Sequence, residues 1–384
     1  MTNMWLSIMK ILYNIAGTCH SGGMERVLAN KANWLVANGY EVVIVTTDQR
    51  GEQPFFPLDG RIRCHDLGVN YEENNGAGFF NKLLNYPAKQ RMHKRLLREV
   101  LAKEAPDVTV SMFCNDVSFI AGLKEGGKKV LEIHFGKNKR LQYGRKGLWR
   151  LADMWRTRQD ERLVRRFHRF VVLTAEDKAL WGDVPGMLVI PNARTFTPAE
   201  CAPLDTKKVI AVGRYTHQKG FERLIEAWRM IADKVPGWHL DIIGDGEERN
   251  MLEALVGDYG LGGSVSLLHP TTDMPGVYMG ASLVAMSSRY EGLPMILVEA
   301  QAYGLPIVSF DCKCGPADVV EDGVTGFLVP EGDVEALANG LLKVMTDDAL
   351  RSRMGKAARE ASERYSVEAV MAKWTALFET VVKE

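Results

Sequence analysis

One segment of the chain predicts the fold around it: residues 287–299 read SSRYEGLPMILVE. The apolar residues 283–286 before it are typical of the end of a buried strand. Gly292 permits a tight turn, Pro294 suits the first turn of a helix, and Gly304 offers a left-handed stop. The sequence therefore predicts a strand, a turn and a helix, whose free N-terminal N–H groups can bind an anion.

Two carboxylates bracket this predicted junction, Glu291 in the turn and Glu299 within the helix. Because a carboxylate repels phosphate, both groups are better suited to accept hydrogen bonds from sugar hydroxyls. A sugar nucleotide would match the helix N-terminus and the carboxylates together. The alternative is that Glu291 is a loop charge and Glu299 lies on a solvated helix face, as most glutamates do.

The turn Glu291-Gly292-Leu293-Pro294, followed by Glu299, resembles the signature of the retaining family 4 glycosyltransferases, which have the GT-B fold. In that family the first Glu lies by the donor sugar and the second holds the ribose hydroxyls. The resemblance implies a catalytic role for Glu291 and donor binding by Glu299 and the turn residues. It also implies an α/β fold of two Rossmann-like domains, whose parallel sheets face each other across a crevice.

The size and composition of the chain fit such a fold. Its 384 residues suit two α/β domains, and its 46% hydrophobic and 25% charged residues are ordinary for globular proteins. No run approaches the roughly 20 apolar residues of a membrane span. The first ten residues have no charged region or cleavage site of a signal peptide, and Met9 would serve as the natural start. We therefore expect a cytoplasmic protein.

The distribution of charge and the cysteine content indicate what kinds of partner and what state of the thiols to expect. The net charge is zero, but residues 1–200 hold about 30 of the 48 Lys and Arg and only about 21 of the 48 Asp and Glu. A basic half joined to an acidic half predicts different partners for the two. Six cysteines are too few for a disulfide scaffold. Cys312 and Cys314 lack a partner pair for zinc, so we expect reduced thiols in a loop.

The start of the chain predicts a β-α-β unit, with strands at residues 10–16 and 41–47 and a helix at residues 24–38. The first loop ends in Gly22 and Gly23. It is not G-x-G-x-x-G, and no acidic residue closes the second strand, which argues against nicotinamide binding. The loop resembles the Gly-Gly loop of family 4 enzymes, which lies over the donor phosphates and the acceptor. A plain tight turn is the alternative.

Residues 130–134 predict another strand, which ends in His134. A side chain at the carboxyl end of a parallel strand points into the ligand crevice. Family 4 members often have a His near the reacting sugar here, so the resemblance implies a catalytic role for His134. We place this first, acceptor-binding domain at residues 9–195. By resemblance, a last helix at residues 367–384 packs back on it.

Residues 137–169 combine about a dozen Lys and Arg with aromatic and apolar residues, among them Tyr143, Trp149 and Trp155. This pattern fits an anionic membrane surface. Nucleic acid would favour similar residues, but no binding motif accompanies them, so we expect no nucleic acid. The alternative is a solvated helix whose apolar side packs on the sheet. Because many family 4 enzymes glycosylate lipid-linked acceptors, the resemblance favours peripheral contact with the inner face of the cell membrane.

The second, donor-binding domain is placed at residues 205–366. It opens with a strand followed by Gly213-Arg214 and, after four residues, Lys219-Gly220. Two cations at a strand–helix junction can bind a diphosphate and neutralise a leaving group. This pattern is the diphosphate clamp of the family, which implies catalytic and donor-binding roles for Arg214 and Lys219.

Two further strand ends in this domain predict donor contacts. Asp245 and Gly246 belong to a Gly-Asp-Gly turn that resembles the turn of the family. His269 follows the next strand and is expected beside the nucleotide base. The family more often has Gly at that position, so base recognition by this chain would differ.

These observations predict a retaining hexosyltransferase. It would move a hexose or N-acetylhexosamine from a UDP-sugar to a glycan or lipid-linked acceptor in polysaccharide or glycoconjugate biosynthesis. The family implies retention by front-face displacement. Because no Asp-x-Asp cluster stands at a crevice position, we expect no metal and no other cofactor. Three alternatives stay open: a GT-B epimerase of UDP-sugars, a dehydrogenase, and a non-catalytic membrane-associated scaffold.

Overall fold

The computed structural model describes residues 8–74, 79–142 and 147–384. It divides into two compact units. The first contains the chain up to Leu173, Lys178–Ile190 and Met371–Glu384, and the second contains Thr174–Asp177 and Pro191–Val370. Each unit is built on one parallel β-sheet with helices in the connections, which confirms the predicted α/β class with two Rossmann-like units.

The described part of the first unit forms a sheet of seven parallel strands. In chain order they are β1 (Lys10–Ile15), β2 (Glu41–Thr46), β3 (Arg63–Asp66), β4 (Val108–Ser111), β5 (Lys128–Glu132), β6 (Arg169–Val172) and β7 (Met187–Val189). In space they are ordered β3-β2-β1-β4-β5-β6-β7. The chain therefore reverses its direction of growth between β1 and β4, and ligands bind parallel sheets at such switch points.

The helices described before β8 are α1 (Gly23–Ala37), α2 (Phe79–Glu104), α3 (Lys139–Gln142), α4 (Leu148–Val164) and α5 (Ala175–Trp181). The predicted first helix is confirmed to within one residue at each end. The predicted strand at residues 130–134 was wrong at its end, because β5 stops at Glu132 and His134 lies in the loop that follows. The central strands are aliphatic and buried along their length, as expected for a sheet covered on both faces.

The described part of the second unit forms a six-stranded parallel sheet. Its strands are β8 (Lys208–Val212), β9 (His239–Ile243), β10 (Val265–Leu268), β11 (Leu283–Met286), β12 (Ile307–Asp311) and β13 (Gly326–Pro330). The spatial order is β10-β9-β8-β11-β12-β13, so the switch point of this unit lies between β8 and β11. Lys219 lies in the loop after the carboxyl end of β8, and Glu291 lies in the loop after the carboxyl end of β11.

The remaining described helices are α6 (Phe221–Arg229), α7 (Arg249–Asp258), α8 (Met274–Met279), α9 (Met295–Ala302), α10 (Pro316–Val319), α11 (Val334–Thr346), α12 (Asp348–Ala361) and α13 (Val367–Lys383). The predicted junction is confirmed, since Pro294 precedes α9 directly and Gly304 follows it with a φ of +70°. Among the described residues, none of the helices combines the length and the apolar character that crossing a membrane requires.

Candidate functional site

The switch point of the second unit holds two loops side by side, one after β8 and one after β11. The backbone N–H of Arg289 donates to the carbonyl of Gln218 at 2.8 Å. The side-chain amide of Gln218 donates in return to the carbonyl of Tyr290 at 3.0 Å. These reciprocal bonds fix the two loops relative to each other, so that residues about 70 positions apart in sequence share one site.

Lys219 and Glu291 meet directly between these loops. Lys219 Nζ donates to Glu291 Oε1 at 2.7 Å, and the exposed fractions of the two side chains are 20% and 8%. The pair is therefore largely buried, and part of the lysine side chain is still reachable from solvent. A cation in this state can exchange its carboxylate for a ligand phosphate without first being released from a closed core.

Two predicted donor-site glycines are fixed by close approach. A Cβ at Gly213 would lie 3.0 Å from Lys219 Cε, so Gly213 leaves room for the lysine stem. A Cβ at Gly246 would lie 2.4 Å from the carbonyl oxygen of Tyr215, and the φ of Gly246 is +158°. Substitution at Gly213 would therefore displace the Lys219 side chain, and substitution at Gly246 would push the turn after β9 away from the backbone of Tyr215.

The other predicted polar residues follow neighbouring strands. Arg214 is exposed in the loop after β8. Asp245, in the turn after β9, lies 3.5 Å from His269 Nδ1 and 3.9 Å from Arg249 Nη1. The His269 side chain is 71% exposed, so it presents most of its ring to solvent after β10. The structure thus brings Asp245 and His269 together at the carboxyl edge of the sheet.

Glu299 lies in α9 and is 8% exposed. The hydroxyl of Tyr278 donates to Glu299 Oε2 at 2.6 Å. The Tyr278 ring is fully buried and stacks on the ring of Tyr303, with centroids 5.0 Å apart. This contact orients the carboxylate of Glu299, and the sequence analysis missed Tyr278 because it precedes β11 in the small helix α8.

The turn between Glu291 and α9 is packed against the loop after β12. The N–H of Glu291 donates to the carbonyl of Lys313 at 3.1 Å. A Cβ at Gly315 would lie 2.5 Å from the carbonyl oxygen of Gly292 and 2.5 Å from Pro294 Cδ. Leu293 is buried. The predicted donor-binding turn is therefore held by packing, and the free thiols of Cys312 and Cys314 lie buried beside it.

In the first unit, Gly22 and Gly23 stand at the start of α1. A Cβ at Gly22 would lie 2.1 Å from Glu25 Oε2, because the Glu25 side chain folds back over this residue. No atom lies within 4 Å of the Cβ position of Gly23 among the described residues. The start of α1 is therefore open on the side of Gly23, as the predicted contact with a ligand would require.

His134 follows β5 by two residues and has a side chain that is 7% exposed. Its Nε2 lies 3.2 Å from Glu132 Oε1. Glu132 in turn binds Lys31 Nζ through both oxygens, at 2.5 and 2.7 Å. Burial alone would raise the pKa of Glu132, but Lys31 and His134 together lower it to about 2. Sequence reasoning missed Lys31 and Glu132, since neither stands in a motif.

The switch point of the first unit holds a second buried carboxylate that the sequence did not indicate. Asp116 is fully buried and accepts a hydrogen bond from the hydroxyl of Ser111, at the end of β4, at 2.9 Å. Among the described residues, its other oxygen has no hydrogen-bond partner. Burial raises the pKa of Asp116 to about 6.

The basic stretch at residues 137–169 forms α3 and α4, and the predicted contribution of Tyr143 lies outside the described residues, as does the Trp149 side chain. Leu151 and Trp155 are 61% and 64% exposed. They stand four residues apart on α4 and therefore share one face. Further along, Arg158 and Arg162 of this helix and Arg165 just after its end border a cavity of about 450 Å³.

Within the ranges that the structure describes, no group of three or more His, Cys, Asp or Glu is arranged to hold a metal ion. In the second unit, predicted polar residues fall into three local contacts: Lys219 with Glu291, Asp245 with His269, and Glu299 with Tyr278, which the sequence analysis missed.

Comparison with known proteins identifies the class of this chain. Residues 21–194 match the family Glycosyltransferase Family 4, and residues 194–361 match the family Glycosyl transferases group 1. The chain belongs to these glycosyltransferases. An uncharacterized glycosyltransferase of Haemophilus influenzae is 29% identical over 370 residues, which are 95% of this chain and 98% of that protein. The amylovoran biosynthesis glycosyltransferase AmsD of Erwinia amylovora is 27% identical over 385 residues, at 95% and 98% coverage.

Solved structures agree with the fold. HepE of Anabaena, crystallised with UDP and glucose, superposes with a TM-score of 0.72 at 19% identity and covers 97% of this chain and 100% of its own. In the present chain, the segment that matches Glycosyltransferase Family 4 contains Gly22, Gly23 and His134. The group 1 match contains Arg214, Lys219, Glu291 and Glu299.

Proposed function

We propose that this glycosyltransferase moves a hexose or N-acetylhexosamine from a UDP-sugar to a glycan or lipid-linked acceptor. The observation that carries the proposal is the contact between Lys219 and Glu291 at the switch point of the second unit. UDP as the nucleotide is supported by HepE, whose crystals contained UDP and glucose. Polysaccharide or glycoconjugate biosynthesis as the setting is supported by AmsD, which is named for amylovoran biosynthesis.

In the proposed reaction, the donor diphosphate lies against the loop after β8. Lys219 leaves Glu291 and binds the diphosphate together with the exposed Arg214, which stabilises the negative charge of the departing UDP. Glu291, released from its cation, accepts hydrogen bonds from hydroxyls of the donor sugar. Glu299, oriented by Tyr278, accepts hydrogen bonds from the ribose hydroxyls.

The proposed stereochemical outcome is retention, by attack of the acceptor hydroxyl on the face from which UDP departs. The leaving phosphate accepts the acceptor proton in this scheme. Arg214, Lys219 and the N-terminus of α9 supply the positive charge, so we propose that transfer requires no metal ion. Proton NMR of the anomeric signal of the product, and activity in the presence of EDTA, test these two points.

The first experiment is a thermal-shift panel with UDP, GDP, ADP, NAD and UDP-sugars. A ligand present at about 100 times its dissociation constant should stabilise the native state by about 2.7 kcal/mol. We expect a shift with UDP and UDP-sugars that Glu299→Ala abolishes. The matched control is Glu335→Ala, which removes an exposed carboxylate from α11 of the same unit. No shift with any nucleotide would contradict the proposal, and a shift with NAD alone would restore the dehydrogenase alternative.

We also propose that the exposed face of α4 contacts an anionic membrane surface in the cell, at the cytoplasmic face. Leu151 and Trp155 would insert among the headgroups while the arginines near the end of the helix bind lipid phosphates. In vesicle sedimentation we expect binding to phosphatidylglycerol vesicles and little binding to phosphatidylcholine. The double variant Leu151→Gln/Trp155→Gln should lose binding to phosphatidylglycerol vesicles. The control is Met251→Gln, which alters an exposed apolar side chain of the second unit and should bind as wild type does.

A further inference from the structure

The carboxyl end of β5 carries a charged network that is closed to solvent. Glu132 and Lys31 have side chains that are 1% and 4% exposed. Lys31 comes from α1, and its ammonium group donates to both carboxylate oxygens of Glu132. Taking two charges out of water costs free energy that their attraction repays only when the geometry is good. Since apolar replacements of such pairs are often as stable, stability by itself is a weak reason for this pair.

His134 is the third member of this network. Its Nε2 faces Glu132 Oε1 at 3.2 Å. Among the residues that the structure describes, its Nδ1 has no hydrogen-bond partner. Neither ring nitrogen completes a hydrogen bond among these residues, but Nε2 is the one that lies beside the buried carboxylate, which leaves Nδ1 for a ligand.

The chemistry of the carboxylate decides which nitrogen of a neutral imidazole carries the proton. An ionised carboxylate only accepts hydrogen bonds, so the nitrogen that faces it must donate. Nε2 then holds the proton, and Nδ1 presents a lone pair. Lys31 keeps Glu132 ionised and holds its two oxygens in place, which fixes the direction in which the imidazole ring is turned.

The last helix completes the enclosure. The ring of Trp374, in the part of α13 that belongs to the first unit, lies with its centroid 3.8 Å from Lys31 Nζ and is 1% exposed. This cation–π contact, together with a longer one to the ring of Tyr13 at 5.6 Å, covers the ammonium group on sides that the carboxylate does not contact.

We propose that Glu132, held by Lys31, is a positioning residue that keeps His134 as the Nε2–H tautomer, so that Nδ1 accepts a hydrogen bond from a hydroxyl of the transferred sugar. The proposal rests on the proposed function, because it needs a sugar near His134. It adds two residues, Lys31 and Glu132, that act through His134 and do not touch the sugar.

The direct test is ¹⁵N NMR of the protein labelled at its 8 histidines, with His134→Gln to assign the signal. We expect the Nε2–H tautomer in the wild type. In Glu132→Gln, Lys31 retains the side-chain oxygen, so the amide NH₂ faces the ring and Nδ1–H becomes the favoured tautomer. A wild-type signal of the Nδ1–H form, or a tautomer that Glu132→Gln leaves unchanged, would overturn the proposal.

The functional test is a double-mutant cycle on UDP release from UDP-glucose and UDP-N-acetylglucosamine without acceptor. We expect Glu132→Gln and His134→Ala each to lower the rate by about 10- to 100-fold, because a misdirected contact loses much of its effect. The double variant should be no slower than His134→Ala. Multiplying losses would instead indicate that Glu132 acts independently of His134, and would overturn the proposal.

Measurements of UDP binding and of the unfolding temperature distinguish a failure of this proposal from a failure of the proposed function. UDP binding should be close to wild type in Glu132→Gln. Its unfolding temperature should fall, because Lys31 is left buried without its anion, so Lys31→Met/Glu132→Gln serves as the second variant, with no unpaired charge and an unfolding temperature closer to wild type. If wild type neither binds UDP nor releases it from either donor, the proposed function fails, while the NMR measurement still decides whether Glu132 sets the tautomer of His134.

Discussion

Two lysine–glutamate pairs of this glycosyltransferase have similar contact distances but differ in how far they are closed to solvent. Lys219 and Glu291 meet at 2.7 Å with side chains that are 20% and 8% exposed. Lys31 and Glu132 meet at 2.5 Å with side chains that are 4% and 1% exposed. The first pair joins two loops at the switch point of the second unit, whereas the second pair joins a helix and a strand inside the first unit.

The difference in exposure determines whether the lysine of each pair can exchange its carboxylate for a ligand. Water and ligands reach Lys219, so it can exchange Glu291 for a phosphate at a small cost in free energy. Lys31 has no such exchange open to it, because separating buried charges is expensive. A contact of the first kind suits binding that must be reversible, and a contact of the second kind suits the fixed orientation of a third group.

The largest expected effect comes from breaking the buried pair. Lys31→Met should lower the free energy of unfolding by about 3–5 kcal/mol, because Glu132 is left buried without its cation. Lys219→Met should lower it by less, because solvent reaches this pair and can take the place of the lysine beside Glu291. Urea denaturation followed by circular dichroism measures both, and equal losses in the two variants would refute the comparison. Restoration of much of the loss in Lys31→Met/Glu132→Gln is the control for the unpaired charge.

The pair between the two loops, Lys219 and Glu291, should dominate catalysis. Lys219→Met is expected to lower kcat for sugar transfer by about 10²–10³-fold, since it removes a cation that stabilises charge developing on UDP. Release of UDP from the donor is the measurement. Lys234→Met, at an exposed lysine of the same unit, is the matched control and should leave the rate unchanged. A Lys219→Met enzyme with wild-type kcat would exclude this residue from the chemistry.

The buried carboxylate of Asp116 sharpens the comparison, because no cation pairs with it in the part of the chain that the structure describes. The pKa of Glu132, beside Lys31, is about 2, whereas burial raises the pKa of Asp116 to about 6. A raised pKa in the folded state means that the contribution of Asp116 to stability is complete below about pH 4 and is lost as pH rises through 6. The loss is about 3 kcal/mol.

Asp116→Asn should therefore change how stability depends on pH. We expect the difference in unfolding free energy between variant and wild type to shift in favour of the variant between pH 4 and 6.5. His93 works in the opposite direction, since burial lowers its pKa to about 4, and both proteins contain it. The difference in unfolding free energy between Asp116→Asn and wild type, measured by urea denaturation at several pH values, therefore isolates the contribution of Asp116. A difference that is constant across this range would contradict the raised pKa.

The smallest expected effect concerns Glu299. Tyr278→Phe removes the hydrogen bond to its carboxylate, which should cost about 1 kcal/mol in stability. If that bond orients Glu299 toward the ribose, the dissociation constant for UDP should rise by about fivefold. Calorimetric titration with UDP measures it, and Tyr259→Phe is the control in the same unit. Unchanged affinity would mean that Glu299 needs no help from Tyr278.

The sequence predicted the fold because its signals are local. Gly304 ends α9 with a positive φ, and the aliphatic strands alternate with amphipathic helices in the order that a parallel sheet requires. The candidate donor site was also predictable in part. Lys219 and Glu291 stand in the loops that follow β8 and β11, and the switch point brings such loops together. Their proposed roles stay predictions.

The network around His134 was not predictable from the same signals. Lys31 and Glu132 are 101 residues apart, and each looks ordinary in its own element, one Lys in a helix and one Glu in a strand. Only the packing of α1 on the sheet joins them. The end of β5 was misplaced by two residues for a related reason, since Ile133 is as apolar as the strand before it but lies beyond the last ladder pair.

Because the first unit is built from separate parts of the chain, it cannot be completed until late in translation. Trp374, which covers Lys31, is made nearly two hundred residues after Ile190, where the main part of this unit ends. At 5–20 residues per second, a ribosome needs roughly 10–40 s to add that length of chain. The first half must wait during this time with its ammonium group open to water, so chaperones that act during translation meet an unfinished N-terminal unit.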